Sequence, residues 1–509
     1  MSEVLALDAL LNKDLQAAVD ARLRRLGDDD VVGRIWARDH TVWRDDPREI
    51  SDRLGWLTAP HTSRRLIPDL RAFADQAAAD GLTHAVLLGM GGSSLAPEVF
   101  RRTFGKREDM LDLVVLDSTH PDAIRAVERD VPLDRTLFVV SSKSGTTIET
   151  RSHLAYFHEL VGAGDRFVAV TDPGTPLEAT ANELGFRGVF NAPPDVGGRY
   201  SALTVFGLLP AALIGADLDE LLQSAAGGAA ACGGANPPGV NPGAALGAIV
   251  GEAAVRGRDK LTLVLPAAIG ALGTWIEQLV AESTGKDGTG ILPVDGEPAG
   301  PPDAFGDDRL FLTFGETAAP EPFAHVPLGD PASLGAVMFI LEFATAVAGH
   351  VLRIHPFDQP DVQSAKDRTS EMLSSGPAPE PLGEVDELLA SVRPGDYVAI
   401  QTFVPPGEEL RARLEAARLR IRNRLRVATT LGYGPRYLHS TGQLHKGGPN
   451  TGVFIQLLEE PEEDVPVPGR SYTFGRLIAA QAAGDLAALR ERGRRAARVP
   501  IDALVGWDG

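Results

Sequence analysis

Short apolar runs separated by helical patterns recur from His84 onward, and that alternation constrains the fold more than any other feature of the chain. His84–Gly89, Leu113–Asp117, Thr136–Val140, Arg166–Val170 and the weaker Gly188–Phe190 each have the length of a strand, and each is followed by a helical stretch or a turn. Strands that are apolar throughout need cover on both faces, so the pattern predicts an α/β fold with a parallel sheet between helices. In that architecture ligands sit beyond the carboxyl ends of the strands.

A segment of Ala, Gly, Pro and Asn, Gly227–Gly243, marks a boundary. After it come strand Leu261–Leu265, helix Ile269–Glu282, strands Leu310–Phe314 and Phe323–Pro327, and a long helix Pro331–Arg353. Beyond a looser joint at Pro377–Pro381, strand Tyr397–Phe403, helix Glu408–Val427 and strand Val453–Leu457 form a further unit, and Phe474–Arg494 reads as a helical tail. The division expected is a helical N-terminal segment (1–65), a first α/β domain (66–226), a second (244–376) and a C-terminal α/β segment (382–509) that completes or flanks the second. Trp36, Trp43 and Trp56 are expected to pack the N-terminal segment onto the rest of the chain. A chain of 509 residues exceeds what one core serves, which agrees with several domains.

The net charge of −20 argues against a nucleic-acid partner, which would need a basic face. A local cluster of backbone amides and cations can still bind a small anion. The single Cys232 excludes an intrachain disulfide and suits a reducing cytoplasm. Met1–Asp20 is amphipathic and carries acids, unlike a signal peptide, and the apolar stretch Ala332–Val351 is broken by Glu342. The expectation is a soluble, cytoplasmic protein without a membrane partner.

Six segments carry chemistry. Gly89-Met90-Gly91-Gly92-Ser93-Ser94 ends a strand and opens a helix, which is either a tight turn that needs glycine or an anion cradle. It is neither a Walker loop nor a full dinucleotide fingerprint. Ser141 to Thr147 places five hydroxyls, Lys143 and Gly145 at a helix N-terminus. Capping needs one hydroxyl and no lysine, so the composition favours a phosphate cup. Gly197-Gly198-Arg199 presents a guanidinium behind two glycines, suited to a developing oxyanion or to an ordinary ion pair. Glu282-Ser283-Thr284-Gly285-Lys286 ends an apolar helix that also carries Gln278, where the carboxylate could act as a general base or simply face solvent. His355-Pro356-Phe357-Asp358-Gln359-Pro360 leads into a helix holding Lys366, in a capping arrangement or a functional one. A glycine-rich loop from His439 to Asn450 adds two histidines, His439 and His445. Their six-residue separation without a carboxylate is not a metal-ligand spacing, so a catalytic histidine is the better reading, and neither metal nor cofactor is expected.

In this combination and order the segments resemble the phosphoglucose isomerase family, and most of all the isomerase part of fused transaldolase–phosphoglucose isomerase proteins. The resemblance implies two sugar-isomerase (SIS, flavodoxin-like) domains and the interconversion of glucose 6-phosphate and fructose 6-phosphate in glycolysis and gluconeogenesis. It implies that Gly92, Ser93, Ser142, Lys143, Ser144, Thr146 and Thr147 hold the phosphate, with Gly198, Gln278 and Gln359 also lining the substrate. Glu282 becomes the base and Arg199 the stabiliser of the intermediate, while His445 with Lys366 opens the sugar ring. One departure stands out. The family's histidine lies between the glutamate and the Phe-Asp-Gln segment, where this chain has only His325, His350 and His355, none in a glycine-rich setting. The order is therefore permuted, and His439 rivals His445. The family histidine often comes from a neighbouring subunit, so a homodimer is a further expectation. Another hexose phosphate such as mannose 6-phosphate, or a phosphosugar sensor without catalysis, are the competing functions.

Overall fold

In the computed structural model, which describes residues 8–327, 331–360, 368, 369, 371–373, 380–405 and 407–508, three separate sheets share one winding. The chain enters through a short strand, β1 (Asp8–Leu10). The first sheet contains β2 (His84–Gly89), β3 (Asp112–Leu116), β4 (Thr136–Ser141), β5 (Phe167–Thr171) and β6 (Gly188–Asn191), all parallel, in the order β3-β2-β4-β5-β6. The second contains β7 (Lys260–Val264), β8 (Leu292–Val294), β9 (Arg309–Phe314) and β10 (Phe323–Val326) in the order β8-β7-β9-β10, with β1 antiparallel along β10. The third contains β11 (Tyr397–Phe403), β12 (Ala428–Tyr433), β13 (Gly452–Leu458) and β14 (Arg495–Arg498) in the order β12-β11-β13-β14. Within each sheet the second strand lies outside the first, and the third and later strands lie on the other side. That is the flavodoxin-like order, with its crevice between the first and third strands. In the first sheet the crevice opens where Gly89 of β2 pairs with Ser141 of β4.

The apolar runs became strands because helices cover them on both faces. β4 and β5 are buried at every residue, and β2 at all but His84. Four strands lie where no apolar run announced them. β1 falls in the segment expected to be helical, β8 is three residues with Pro293 at its centre, and β12 and β14 read Ala-Thr-Thr-Leu-Gly-Tyr and Arg-Ala-Ala-Arg. Pairing rather than hydrophobicity holds the last two in place, through Val398 to Thr429 and Val453 to Arg495. The strands after Tyr397 form their own sheet instead of joining the second.

Helix Leu334–Leu352 is buried along nearly all its length and packs against helices Pro242–Val255 and Leu218–Ala231. By length and composition Pro331–Leu352 would reach across a membrane, but most of it is enclosed by the rest of the protein. Gly243, Gly247 and Gly251 let Phe343, Val347 and Val351 of the long helix come close. The N-terminal tryptophans dock on the same helix. Trp36 stacks on Phe339 and Phe343, and Trp43 donates its Nε1 hydrogen to Ala346 O over 2.8 Å. Trp56 stacks on Tyr200 with ring centroids 5.1 Å apart, so the N-terminal segment buttresses the turn that carries Arg199.

The first glycine turn meets that same turn backbone to backbone. A Cβ on Gly92 would lie 2.0 Å from Gly198 O, which no side chain can accommodate. Gly92→Ala is expected to lower unfolding free energy by about 1–3 kcal/mol through overpacking, read as a lower midpoint in urea.

Candidate active site

A buried guanidinium organises the site. Arg199, 3% exposed, donates from Nε to Ser283 Oγ (2.9 Å), from Nη1 to Gln359 Oε1 (2.8 Å), and from Nη2 to the carbonyls of Pro356 and Asp358 (2.9 Å each). Its Nη1 also stands 3.1 Å from Glu282 Oε1. Arg199 lies on a short 3-10 turn, Gly198–Tyr200, and Glu282 closes a π-helical turn, Gln278–Glu282, that continues helix Leu272–Glu277. π-turns widen a helix and are frequent at functional positions. Gln278 Nε2 donates to Glu282 Oε2 (3.1 Å) and to His439 O (2.8 Å), while its Oε1 is buried without a protein partner.

Lys286, at the end of the same run, secures segment 355–360 from the other side. Its Nζ donates to His355 O (2.6 Å), Asp358 O (2.6 Å) and Asp358 Oδ1 (2.7 Å). Burial pushes the amine down to about 7, the Arg199 charge acts in the same direction, and the Asp358 carboxylate opposes both. Three oxygen acceptors around one nitrogen match the three donors of an ammonium. Gln359 is thus aimed by a segment whose backbone is fixed by two cations. Lys366 lies outside the described residues.

The hydroxyl-rich loop follows β4. Ser142 Oγ lies 3.0 Å from Thr147 Oγ1, and Ser144 Oγ lies 2.8 Å from Thr146 Oγ1. Thr147 precedes helix Ile148–Val161 without capping it through its side chain, so its hydroxyl serves the loop. Gly145 has φ +67° and sits against Leu177 N, where a Cβ would come within 2.8 Å. Lys143 does not face the hydroxyls. Its Nζ pairs with Asp172 Oδ2 (2.5 Å) and with Pro194 O (3.2 Å), which leaves the loop's hydroxyls and backbone to receive an anion. Ser93 is buried on the turn Gly91–Ser93, where Gly91 packs under Gln278 Nε2 and His439 O.

The two histidines separate cleanly. His439, on the turn Arg436–His439 after β12, sets its Nε2 2.9 Å from Glu149 Oε1. Glu149 lies in the first turn of the helix that follows the hydroxyl loop. Burial works to raise its carboxyl, but the His439 ring and the hydrogen bond between them hold it below the usual carboxylate range. His445 sits instead among Tyr397, Tyr437 and Phe454, with Nδ1 3.1 Å from Gln401 Nε2 and Nε2 buried without a partner. Burial pushes that imidazole well below its ordinary range, and the nearby Lys446 and Arg494 charges add to the effect. The ring contacts neither Glu282, Arg199 nor the hydroxyl loop, because helix Gly442–Gly447 turns it toward β11 and β13. Glu149 escaped the sequence reading because an acid in a first helical turn is ordinary there.

A sequence profile of the family described as phosphoglucose isomerase matches residues 64–289. Glucose-6-phosphate isomerase of Citrifermentans bemidjiense is 31% identical over 415 residues, covering 66% of this chain and 76% of that protein. The enzyme of the same name from Rubrobacter xylanophilus is 29% identical over 415 residues, covering 66% of this chain and 91% of its own. Among solved structures, a hypothetical protein from Thermus thermophilus superposes with a TM-score of 0.59 at 25% identity, covering 72% of this chain and all (100%) of that one. A glucose-6-phosphate isomerase from Chlamydia trachomatis superposes with a TM-score of 0.55 at 19% identity, covering 71% and 85%, and shares the fold.

Arg199→Lys should release segment 355–360, because one ammonium cannot span acceptors that a planar guanidinium reaches on three sides. The expected outcome is faster amide exchange across residues 354–360 and a stability loss of about 2 kcal/mol, the scale of one or two charge-assisted hydrogen bonds.

Proposed function

Because the chain belongs to the phosphoglucose isomerase family, we propose that Glu282, Arg199 and the His439–Glu149 pair carry out the interconversion of glucose 6-phosphate and fructose 6-phosphate. The observation that carries this reading is the contact of the Glu282 carboxylate with Arg199 at 3.1 Å, at a site also reached by the amides of Gln278 and Gln359. Ser142, Ser144, Thr146, Thr147 and Ser93 hold the phosphate, and remote binding energy then aligns C1 and C2 with the reacting groups.

Ring opening comes first. Glu149, as a carboxylate, only accepts, so His439 in its neutral form donates from Nε2 and keeps a lone pair on Nδ1. That nitrogen takes the proton of the C1 hydroxyl and returns it to the ring oxygen as the C1–O5 bond breaks. Glu282 then removes the C2 proton, giving a cis-enediolate whose negative charge Arg199 offsets; a proton passes from O2 to O1, and Glu282 delivers its own proton to C1. The unpartnered Gln278 Oε1 suits a sugar hydroxyl. A part for Lys366 rests on its place seven residues after Gln359 in the sequence. His445 has no part in this scheme. Both members of the histidine–carboxylate pair come from one chain, so ring opening needs no neighbouring subunit, and a homodimer would serve another purpose. A reducing cytoplasm fits the single buried Cys232, whose thiol burial pushes up to about 12.

Glu282→Gln should lower kcat by at least ~10²-fold while fructose 6-phosphate still binds, as measured by coupled assay with EDTA and by calorimetry. Near-normal turnover would remove Glu282 as the base, and tight binding by a wild-type protein without turnover would make the chain a sensor. His439→Asn should lower turnover about 10²-fold on cyclic substrate, whereas His445→Asn should mainly lower stability.

A further inference from the structure

One helix holds both halves of the histidine–carboxylate pair. On helix Phe474–Glu491, Gln481 and Asp485 lie one turn apart on the same face, and each is 2% exposed. Gln481 Nε2 donates to Glu149 Oε1 over 2.7 Å, the same oxygen that meets His439 Nε2. Its Oε1 accepts from Thr119 Oγ1, also over 2.7 Å. The flipped amide would set a carbonyl oxygen against a carboxylate oxygen, so the hydrogen-bond network admits one orientation. Asp485 accepts from the Tyr437 hydroxyl (2.7 Å), two residues before His439, and from Lys446 Nζ (2.5 Å).

We propose that Gln481 is a positioning residue for ring opening: by donating to Glu149 it keeps that carboxylate an acceptor and so fixes His439 with its proton on Nε2. The proposal rests on the assignment of ring opening to His439. The other charged or titratable groups around the pair have partners elsewhere. Asp117 and Arg436 pair with each other at 2.6 Å and 2.7 Å, and Tyr437 and Lys446 share Asp485. His153, on the Glu149 helix, bonds to Ser118 O (3.0 Å), and burial pushes it down to about 4, which leaves it neutral. Glu282 connects to the His439 backbone through Gln278, not to Glu149. Without the amide donor, Glu149 takes up a proton more readily. A protonated Glu149 donates, His439 must then accept at Nε2, and its Nδ1 carries the hydrogen that should have been a lone pair.

Gln481→Met keeps the side-chain volume and removes the donor, and Gln481→Glu restores a donor only while the new carboxyl is protonated. Long-range ¹H–¹⁵N spectra of histidine-labelled protein, with the His439 signal identified from His439→Asn, report the tautomer directly. The expected results for Gln481→Met are mixed tautomers and kcat about tenfold lower, with KM for fructose 6-phosphate unchanged. The acid limb of kcat/KM should also move up by roughly one pH unit, the scale of one charge-assisted hydrogen bond. Gln481→Glu should approach wild-type rates at the acid end of the profile and fall away as pH rises, a rescue that packing alone does not give. A wild-type tautomer and an unshifted profile in Gln481→Met, beside an inactive His439→Asn, would overturn the proposal. Normal turnover by His439→Asn would instead overturn the ring-opening assignment beneath it.

Discussion

The buried Arg199 guanidinium is the interaction on which the rest of the site depends. Removing such an ion from water costs several kcal/mol, a penalty offset only when its donors find good acceptors. Here those acceptors come from three places at once: the helix end at Glu282 and Ser283, the side chain of Gln359, and the carbonyls of Pro356 and Asp358. The carbonyls belong to an irregular segment without a sheet or helix to satisfy them, and Lys286 takes that of His355 and shares that of Asp358. Cation and segment are therefore mutually dependent. The charge is tolerable because the segment supplies oxygens, and the segment is ordered because the charge needs them.

The three sheets share a winding but contribute differently. The first supplies the cradle, since the loops after β2 and β4 flank its crevice and Gly92 allows the Gly198 turn to close over it. The second contributes the end of the helix that follows β7, where a π-turn carries Gln278 and Glu282. The third contributes the turn after β12, fastened to the first sheet by the bidentate Arg436–Asp117 pair. Asp117 stands just past the carboxyl end of β3, so this bond brings the strand ends of the first and third sheets together.

Much of this was legible in the residues because the signals are local. A fully apolar strand, a glycine turn or a cluster of hydroxyls at a helix start each says what it is within ten residues. The strands β8, β12 and β14 were not legible, because their state comes from neighbours in the sheet and not from their own side chains. Lys143 shows a subtler limit. Its place in the hydroxyl loop was plain, yet its ammonium turns to Asp172, a partner 29 positions away. Gln481 had no local mark at all, since an amide in a helix acquires meaning only when the fold sets it against Glu149, 332 positions earlier.

His439 and His445 lie six residues apart but have very different surroundings. The glycine-rich setting favoured His445, but those glycines serve close packing, with Gly448 seated against Leu444 and Gly442 against Tyr437 O. The helix they permit turns the His445 ring into an aromatic pocket, where it is 3% exposed and held neutral by burial. His439 keeps a side chain 17% exposed and a carboxylate partner 5% exposed, so one ring edge is fixed while the other stays open. That asymmetry is what the ring opening proposed for His439 calls for: one nitrogen tied down to set the tautomer, the other free. The tie is made by Glu149, next to the hydroxyl-rich loop, so His439 reaches the mouth of the first sheet although it comes late in the chain. The chain had only to return one turn to the mouth of the first sheet, and the Arg436–Asp117 bond brings it there.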